Sequence, residues 1–151
     1  MHNSQITRIE EMLMMIPTQM CRNMDQRFSN VILKGITAEI AKHHFMIMRI
    51  LFGKEKLFVT EIVQTLGITK SQMTSSIDKL LKLGYVERWP DTTDRRKIYV
   101  SITKDGERIT DRINTRMKER FYEDIKTMSS QELTDLEKGL KVLRKLCSSC
   151  E

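Results

Sequence analysis

Residues 58–106 read FVTEIVQTLGITKSQMTSSIDKLLKLGYVERWPDTTDRRKIYVSITKDG, and this stretch decides the fold. Thr69 and Gln72 form the capping-box pattern that opens a helix, and the apolar spacing after them predicts a helix over about Lys70–Leu83. A shorter helix, about Thr60–Leu66, precedes it across a short turn that contains glycine. Two helices joined in this way predict a helix-turn-helix unit.

The second of these helices has two different faces. Its apolar residues share one stripe that is expected to be buried: Met73, Ile77, Leu80 and Leu81. The opposite face carries Ser71, Gln72, Thr74, Ser75, Asp78, Lys79 and Lys82. A helix that reads base edges in a major groove needs polar groups near its N-terminus and cations within reach of phosphate. An ordinary solvated helix face is the alternative interpretation of the same pattern.

A β-hairpin is predicted directly after this helix. The segments Tyr85–Trp89 and Lys97–Ile102 alternate apolar and polar residues with a period of two, as strands do. Between them lies the polar, charged turn Pro90–Arg96. A helix-turn-helix followed by a hairpin with a basic tip is a winged helix, in which the helix enters the major groove and the hairpin reaches the backbone or minor groove beside it.

The charge balance favours a polyanionic partner. The chain has 151 residues and a formal net charge of +6, from 26 Lys and Arg against 20 Asp and Glu. Between residues 68 and 104 there are eight Lys or Arg and four acids, so this window alone holds +4 of that excess. A concentrated basic segment of this kind is typical of a nucleic-acid contact.

Several other classes of protein are not supported. No apolar run is long enough to span a membrane, and the N-terminus lacks the basic start of a secretory signal. Three cysteines do not form a disulfide framework, so a reduced, cytoplasmic protein is expected. No P-loop, nucleophile elbow or acid–histidine arrangement predicts an enzyme, and no cofactor or metal is expected.

Helices are predicted on both sides of the winged helix-turn-helix. A methionine-rich segment, about Ser4–Leu33, has helical spacing, and Pro17 is expected to kink or divide it. A helix over about Ala38–Phe52, capped by Thr37, follows. After the hairpin come helices over about residues 104–127 and 130–147. The terminal helices have spare apolar faces, which predicts dimerisation. The expected fold is mainly α: a single domain with dimerisation helices at residues 1–36 and 104–151 and a DNA-binding lobe at 37–103.

Three stretches together resemble the multiple-antibiotic-resistance-regulator (MarR) family. They are Gly84–Arg88 (GYVER), Asp91–Arg96 (DTTDRR) and Val100–Gly106 (VSITKDG), within the order helix, helix, helix-turn-helix, wing, long helix, final helix. The resemblance covers nearly the whole chain. It implies a homodimeric winged-helix transcription regulator that binds a pseudo-palindromic operator on double-stranded DNA. Many members of the family respond to small ligands, oxidants or metals.

The wing matches the family pattern Asp-x-Arg-Asp-x-Arg at Asp91, Asp94 and Arg96. Thr93 stands where the family often has its first arginine, and Arg95 is an additional cation that can partly replace it. The resemblance implies that Arg96 enters the minor groove and that Asp94 orients it. A guanidinium held by a carboxylate loses less side-chain entropy on binding, and a narrow minor groove attracts cations. The alternative is that Asp94 and Arg96 only close the hairpin.

The predicted function is sequence-specific transcriptional regulation, as a repressor that a small apolar ligand releases. The predicted DNA-contacting residues are Thr60, Lys70, Ser71, Gln72, Thr74, Ser75, Lys79, Lys82, Asp94, Arg95 and Arg96. The predicted effector-binding residues are Met12, Met15, Met20, Phe45, Met46, Met48, Ile109 and Ile113. Methionines suit a variable apolar ligand, but a methionine stripe at helical spacing is also typical of an ordinary core.

Other regulatory mechanisms stay open. Glu39 and His43 lie four residues apart, and with His44 and Cys21 they offer the ligand types that zinc prefers. Cys21 is also the candidate oxidant sensor, whereas Cys147 and Cys150 form a C-x-x-C at the very end of the chain. A winged helix used for protein contact is a further alternative, although such a module would be expected to lose the basic wing tip.

Overall fold

The structure is a computed structural model, and it describes residues 2–28, 33–34, 36, 39–94 and 96–148. Two compact units make up the chain, Met1–Asn114 and Thr115–Glu151. The elements in chain order are α1 (His2–Arg27), α2 (Lys42–Leu51), β1 (Leu57–Phe58), α3 (Val59–Leu66), α4 (Lys70–Lys82), β2 (Val86–Pro90), β3 (Ile98–Ile102), α5 (Lys104–Ile125) and α6 (Ser130–Ser148).

A three-stranded antiparallel sheet with the order β1-β3-β2 forms the wing and its base. The predicted hairpin is confirmed: Val86 pairs with Ile102 at one end and Pro90 with Ile98 at the other. On the far side of β3, Phe58 of β1 pairs with Tyr99. The period-two alternation turns one side of the hairpin toward the interior, where Val86 and Val100 are buried.

The core of the first unit is built from α2, α3, α4 and the sheet, which pack on one another. Its fully buried apolar side chains include Ile47, Met48, Leu51, Ile62, Met73, Leu80 and Val100. The predicted helix-turn-helix is present as α3 and α4, and Gly67 ends α3 in the left-handed conformation at φ 62°. α2 supplies the platform against which both of these helices are held.

The Thr-Lys-Asp-Gly signature joins the wing to α5 through a close backbone approach. The hydroxyl of Thr103 donates to the Gly84 carbonyl at 2.7 Å and accepts from the Gly106 N–H at 3.0 Å. A Cβ placed on Gly106 would lie 2.1 Å from the carbonyl oxygen of Tyr85, so only glycine fits this position. The buried hydroxyl of Thr110 donates to the Gly106 carbonyl at 2.7 Å. This motif therefore anchors the start of α5 on the chain that enters β2.

The predicted start of α2 is wrong, and of the two outcomes predicted for Pro17, division of the helix does not occur. α2 begins at Lys42 and not near Ala38, because the imidazole of His44 reaches back and its Nδ1 accepts the Ala41 N–H at 2.9 Å. The predicted cap at Thr37 lies outside the described residues. Pro17 does not divide the first helix, since α1 continues through it to Arg27. A proline within a helix removes one backbone hydrogen bond, and a long helix can continue past that loss.

The terminal helices differ from the core. Every side chain of α1 that the structure describes is exposed, including the apolar ones, and the same holds for α6. The exposed apolar residues are Ile6, Ile9, Met12, Leu13, Met14, Met15, Ile16 and Met20 in α1, and Leu133, Leu136, Leu140, Val142, Leu143 and Leu146 in α6.

Among the described residues, no helix combines the length and apolarity that crossing a membrane requires.

Candidate nucleic-acid interface

The N-terminus of α4 is exposed and held by a reciprocal cap, which confirms the predicted capping box. The Thr69 hydroxyl accepts the Gln72 N–H at 3.2 Å, and the Gln72 Oε1 accepts the Thr69 N–H at 3.1 Å. The side-chain oxygen of Gln72 is therefore committed to the cap, so a contact to a base would have to come from its amide nitrogen. Ser71, Thr74 and Ser75 are exposed on the same first turns.

The opposite face of α4 holds the helix on the core. Met73, Ile77 and Leu80 are buried as predicted, while Leu81 is only half-buried. Ser76 is also buried, at 1% exposure, and its hydroxyl donates to the Gln72 carbonyl at 2.6 Å. The sequence interpretation placed Ser76 on neither face. Because its hydroxyl is satisfied within the helix, a small polar residue can lie in the core at that position.

The cations of α4 are not equivalent. Lys70 and Lys82 are exposed at the two ends of the helix, whereas Lys79 is half-buried. Lys79 is close enough to His44 of α2 to act on its titration: burial, then His43, then Lys79 lower the pKa of His44 to about 4. Asp78, which was predicted on the polar face, pairs with Arg88 of β2 at 3.0 Å. That ion pair links α4 to the wing.

The turn at the wing tip is organised by Asp91. Its Oδ1 accepts the backbone N–H groups of Thr93 and Asp94, each at 2.8 Å, and also the Thr93 hydroxyl. These hydrogen bonds, from the Thr93 hydroxyl first, hold the pKa of Asp91 well below its usual range. Backbone bonds between Asp91 and Lys97 and between Lys97 and Asp94 close the loop. The sequence interpretation missed this role, although an Asp with a Thr two residues later is a signal for such a turn.

Arg96 is oriented at the tip and remains open to solvent. Its Nε donates to the Asp94 Oδ1 at 3.2 Å, and its backbone N–H donates to the same oxygen at 3.1 Å. The Arg96 side chain is nonetheless 91% exposed, against 32% for Asp94. The guanidinium is thus held at one nitrogen, and its other donors face outward. The predicted neighbour Arg95 lies outside the described residues.

A stack of aromatic rings and lysines lies at the base of the wing. The rings of Phe58 and Tyr99 stack with centroids 4.0 Å apart. The ammonium of Lys56 lies 4.4 Å from the Tyr99 centroid, and that of Lys97 lies 5.4 Å from the Phe58 centroid. We call these four residues the wing-base stack. The sequence interpretation did not include any of them among the site residues.

The start of α3 adjoins this stack. Thr60, a predicted phosphate contact, is exposed in the first turn of the helix. The Glu61 carboxylate accepts the Phe58 N–H at 2.7 Å. A carboxylate in this position satisfies one backbone donor and adds negative charge beside Thr60. The N-terminus of α3 is therefore a weaker anion site than helix geometry alone predicts.

The predicted effector-binding residues differ in burial. Phe45, Met48 and Ile113 are fully buried in the core, Ile109 is half-buried, and Met12, Met15 and Met20 are exposed on α1. Met46 is half-buried and lines an open cleft of about 370 Å³ together with Lys42, His43, Leu66 and Ile68. This cleft lies where α2 meets the turn between α3 and α4.

The candidate sensor residues were assigned to two chemistries, metal binding and oxidation. Within the residues that the structure describes, no three or more His, Cys, Asp or Glu side chains come together as a metal site. Cys21 and Cys147 are exposed free thiols, and Cys150 lies outside the described residues. The His43 and His44 rings are 4.1 Å apart, but His44 uses its Nδ1 to cap α2.

Comparison with known proteins places this fold among transcription regulators. The sequence profile of the MarR family matches residues 35–97. The chain is 28% identical over 130 residues to the uncharacterized HTH-type transcriptional regulator YpoP of Bacillus subtilis (strain 168), and the match covers 82% of this chain and 92% of that protein.

Solved structures agree with the observed architecture. The transcriptional regulator BldR from Sulfolobus solfataricus superposes with a TM-score of 0.74 at 24% identity, over 93% of this chain and 97% of that one. Streptococcus pneumoniae FabT in complex with DNA superposes with a TM-score of 0.67 at 22% identity, over 97% and 99% of the two chains. At these identities the likeness establishes the fold.

Proposed function

The chain belongs to the MarR family of DNA-binding transcription regulators, and from this premise we propose that it is a repressor that binds a pseudo-palindromic operator as a homodimer. The family consists of transcription regulators and not of enzymes. The proposal adds the sign of regulation, the symmetry of the complex and the residues that contact DNA.

The pairing of Arg96 with Asp94 carries the proposal. A guanidinium that is already oriented by a carboxylate, and still 91% exposed, gives up little side-chain freedom when it binds. The narrow minor groove of DNA has an enhanced negative potential that favours such an insertion. An arginine that only closed the hairpin would be expected to lie against the turn with most of its donors satisfied.

The open face of α4 supplies the reading surface. We assign base contacts to Ser71, Thr74, Ser75 and the amide nitrogen of Gln72, which lie on its exposed first turns. We assign phosphate contacts to Thr60, Lys70, Lys79, Lys82 and Arg95. Among the helix lysines, Lys79 is expected to contribute least, because it is half-buried beside His44.

Dimerisation follows from the apolar faces of α1 and α6. Exposed leucines, isoleucines and methionines in this number are expected to be covered by another chain. In a two-fold dimer the two α4 helices would bind half-sites about 34 Å apart, one turn of DNA. FabT, which has the same fold, was solved in complex with DNA.

Release from the operator is proposed to follow the binding of a small apolar ligand. Met46 is the one predicted effector residue that lines the described cleft, and Met12, Met15 and Met20 are available on the surface of α1. Oxidation of Cys21 is the alternative trigger, because its thiol is exposed. Operator binding measured with and without peroxide separates these two mechanisms.

The experiment begins with selection of bound fragments from the source genome, which yields the operator. Electrophoretic mobility shifts then compare the wild type with Arg96→Ala, which should bind about tenfold or more weakly. Arg49→Ala is the matched control, since it removes an exposed arginine from α2. Circular dichroism should show the same helix content in all three proteins. Unchanged affinity of Arg96→Ala for the operator would contradict the assignment of the wing.

A further inference from the structure

We infer that the wing-base stack is a second, preorganised contact to the DNA backbone, in which Lys56 and Lys97 each bind phosphate. The inference rests on the proposed function, because it assumes that the wing approaches DNA. It adds two cations and two aromatic rings to the predicted interface, and it assigns the rings the task of holding the cations in place.

The rings fix the ammonium groups without neutralising them. Phe58 and Tyr99 stack 4.0 Å apart, which leaves no room for a lysine between them. The two ammonium groups therefore lie against the two outer ring faces, 4.4 Å and 5.4 Å from the centroids. A cation over a ring is restrained by the quadrupole of the ring, yet it keeps its full charge and its N–H donors.

Lysines elsewhere in the protein are held differently. Lys141 and Lys126 of the second unit pair with Glu137 and Glu123 at 2.6 Å and 2.5 Å, so each of these cations already faces an anion. Lys56 and Lys97 face rings, and both are exposed. A lysine that is oriented but not neutralised is suited to a polyanion that arrives from solvent.

The stack is joined to the wing tip by hydrogen bonds. The backbone N–H of Lys97 donates to the Asp94 carbonyl at 2.8 Å, and the Lys97 carbonyl accepts from Asp91 at 2.9 Å. Burial, and after it Asp91, raise the pKa of Tyr99, so the ring of Tyr99 lies near the carboxylate that organises the tip. The tip and the stack are thus one hydrogen-bonded body.

The short separation between the tip and the stack suits a phosphate backbone. Tyr99 is the second residue of β3 and lies three residues after Arg96 of the turn, so at most about 10 Å of chain separates them. One strand of B-DNA carries a phosphate for about every 3.4 Å of axis, so this length covers more than one phosphate. With Arg96 in the minor groove, the lysines would lie beside the neighbouring sugar–phosphate strand.

The acids that act on the stack are bonded to the backbone and not to the two lysines. Glu61 acts on Tyr99 through its charge, and its carboxylate accepts the Phe58 N–H at 2.7 Å. Asp91 accepts hydrogen bonds from Thr93 and Asp94 within the turn. Within the described part of the chain, no ion pair joins either carboxylate to Lys56 or Lys97, so both ammonium groups are available to an external anion.

The test is the salt dependence of operator binding. Lys56→Gln and Lys97→Gln should each flatten the slope of log affinity against log salt by about one, and the double variant by about two, with sequence preference unchanged. Lys54→Gln is the matched control, because it removes a lysine from the loop that also holds Lys56. This control should change the slope by clearly less than either Lys56→Gln or Lys97→Gln.

A second variant tests the role of the rings. Phe58→Leu keeps an apolar side chain and the charge of the protein but removes a ring from the stack. It should weaken binding several-fold and leave the salt slope within about half a unit of the wild type, because both cations remain. Thermal unfolding of each variant, followed by circular dichroism, verifies that the fold is kept.

The outcomes separate the two proposals. If the wild type binds no DNA in a salt-dependent way, the proposed function fails, and this inference fails with it. If the wild type binds its operator but the two lysine variants keep the slope of the wild type, or lose no more than Lys54→Gln, only the wing-base inference is overturned. A slope reduced at Lys56 and Lys97, and not at Lys54, supports it.

Discussion

The winged-helix lobe buries its large apolar side chains, whereas the terminal helices expose theirs. In α2, α3, α4 and the sheet, residues such as Ile47, Ile62, Leu80 and Val100 are completely buried. In α1 and α6 the leucines, isoleucines and methionines that the structure describes lie on the surface, with Leu140 at 55% exposure. Both regions are helical and both contain capping signals, so local sequence does not explain the difference.

This difference shows which part of the protein has a core of its own. The lobe has enough elements in contact to surround its apolar side chains, whereas a single helix leaves its apolar stripe exposed to solvent. Burial of apolar surface contributes about 25 cal/mol per Å², so an uncovered stripe of this length favours association strongly. The lobe is therefore expected to be stabilised from within, and the terminal helices by a second copy of the chain.

The largest expected effect concerns the close packing of the start of α5 on the chain that enters β2. Gly106→Ala should lower the free energy of unfolding by about 4 kcal/mol, because the added Cβ meets the backbone oxygen of Tyr85 and neither backbone can yield cheaply. Chemical denaturation measures this loss. The matched control is Gly139→Ala in α6, where the added Cβ meets nothing within 4 Å and stability should rise by about 0.5–1 kcal/mol. A marked loss at Gly139 instead would show that a partner helix packs closely there.

The second prediction tests the proposed dimerisation through α6. Replacing both Leu140 and Leu143 with Glu should weaken the dimer about 100-fold or more, because two unpaired carboxylates would enter an apolar contact. Sedimentation equilibrium measures the dissociation constant. Lys138→Glu changes the net charge by the same amount on the opposite side of α6 and should leave the dimer intact. If the leucine variant stays dimeric at low micromolar concentration, α6 is not the interface.

The third prediction concerns the response of the lobe to acid. His44 has a folded-state pKa of about 4, below its ordinary 6.5, so the unfolded chain takes up the proton first as pH falls. Stability should be constant above about pH 6.5 and fall by about 2–3 kcal/mol between there and pH 4. Urea titrations at a series of pH values measure it.

The neighbouring histidine provides the control for this acid effect. His44→Asn keeps a side-chain acceptor for the Ala41 N–H without a titrating group, so it should flatten the pH profile. His43→Asn changes an exposed imidazole and should leave most of the fall in place. If His44→Asn retained the full fall, the acid sensitivity would come from another group.

The smallest expected effect compares the same cap in the two regions. α4 begins with Thr69 and Gln72, and α6 begins with Ser129 and Glu132, each pair exchanging two hydrogen bonds. Thr69→Ala and Ser129→Ala should each cost about 1 kcal/mol of stability in thermal unfolding. Only Thr69→Ala should also weaken operator binding in a mobility shift. Equal losses of DNA affinity would contradict the division of roles.

The helix-turn-helix and the wing could be predicted to within one or two residues because their signals are local. The cap at Thr69, the glycine at Gly67 and the alternation in the hairpin each act over a few residues. The start of α2 could not be predicted in this way, because its cap is an imidazole that reaches back from His44 to Ala41. A histidine seldom has that role, whereas Thr37 carries the usual capping side chain.

The candidate site could be predicted only in part, because only some of its contacts are local. The pairing of Asp94 with Arg96 follows from two residues in one turn, and the structure contains it. The wing-base stack depends on β1 pairing with β3 some forty residues later in the chain, and a one-dimensional pattern does not reveal that register. The contacts of all these residues with DNA remain predictions.

The cap of α4 also links recognition to folding. Gln72 belongs to the proposed reading face, yet its side-chain oxygen is one half of the bond pair that starts the helix. A substitution there that gave the protein a new preferred base would weaken the first turn of the same helix. The neighbouring exposed Ser75 takes no part in the hydrogen bonds of the cap. Changes of operator preference in an evolving lineage should therefore accumulate at Ser75 first, and at Gln72 only with Glu, the residue that can keep the cap.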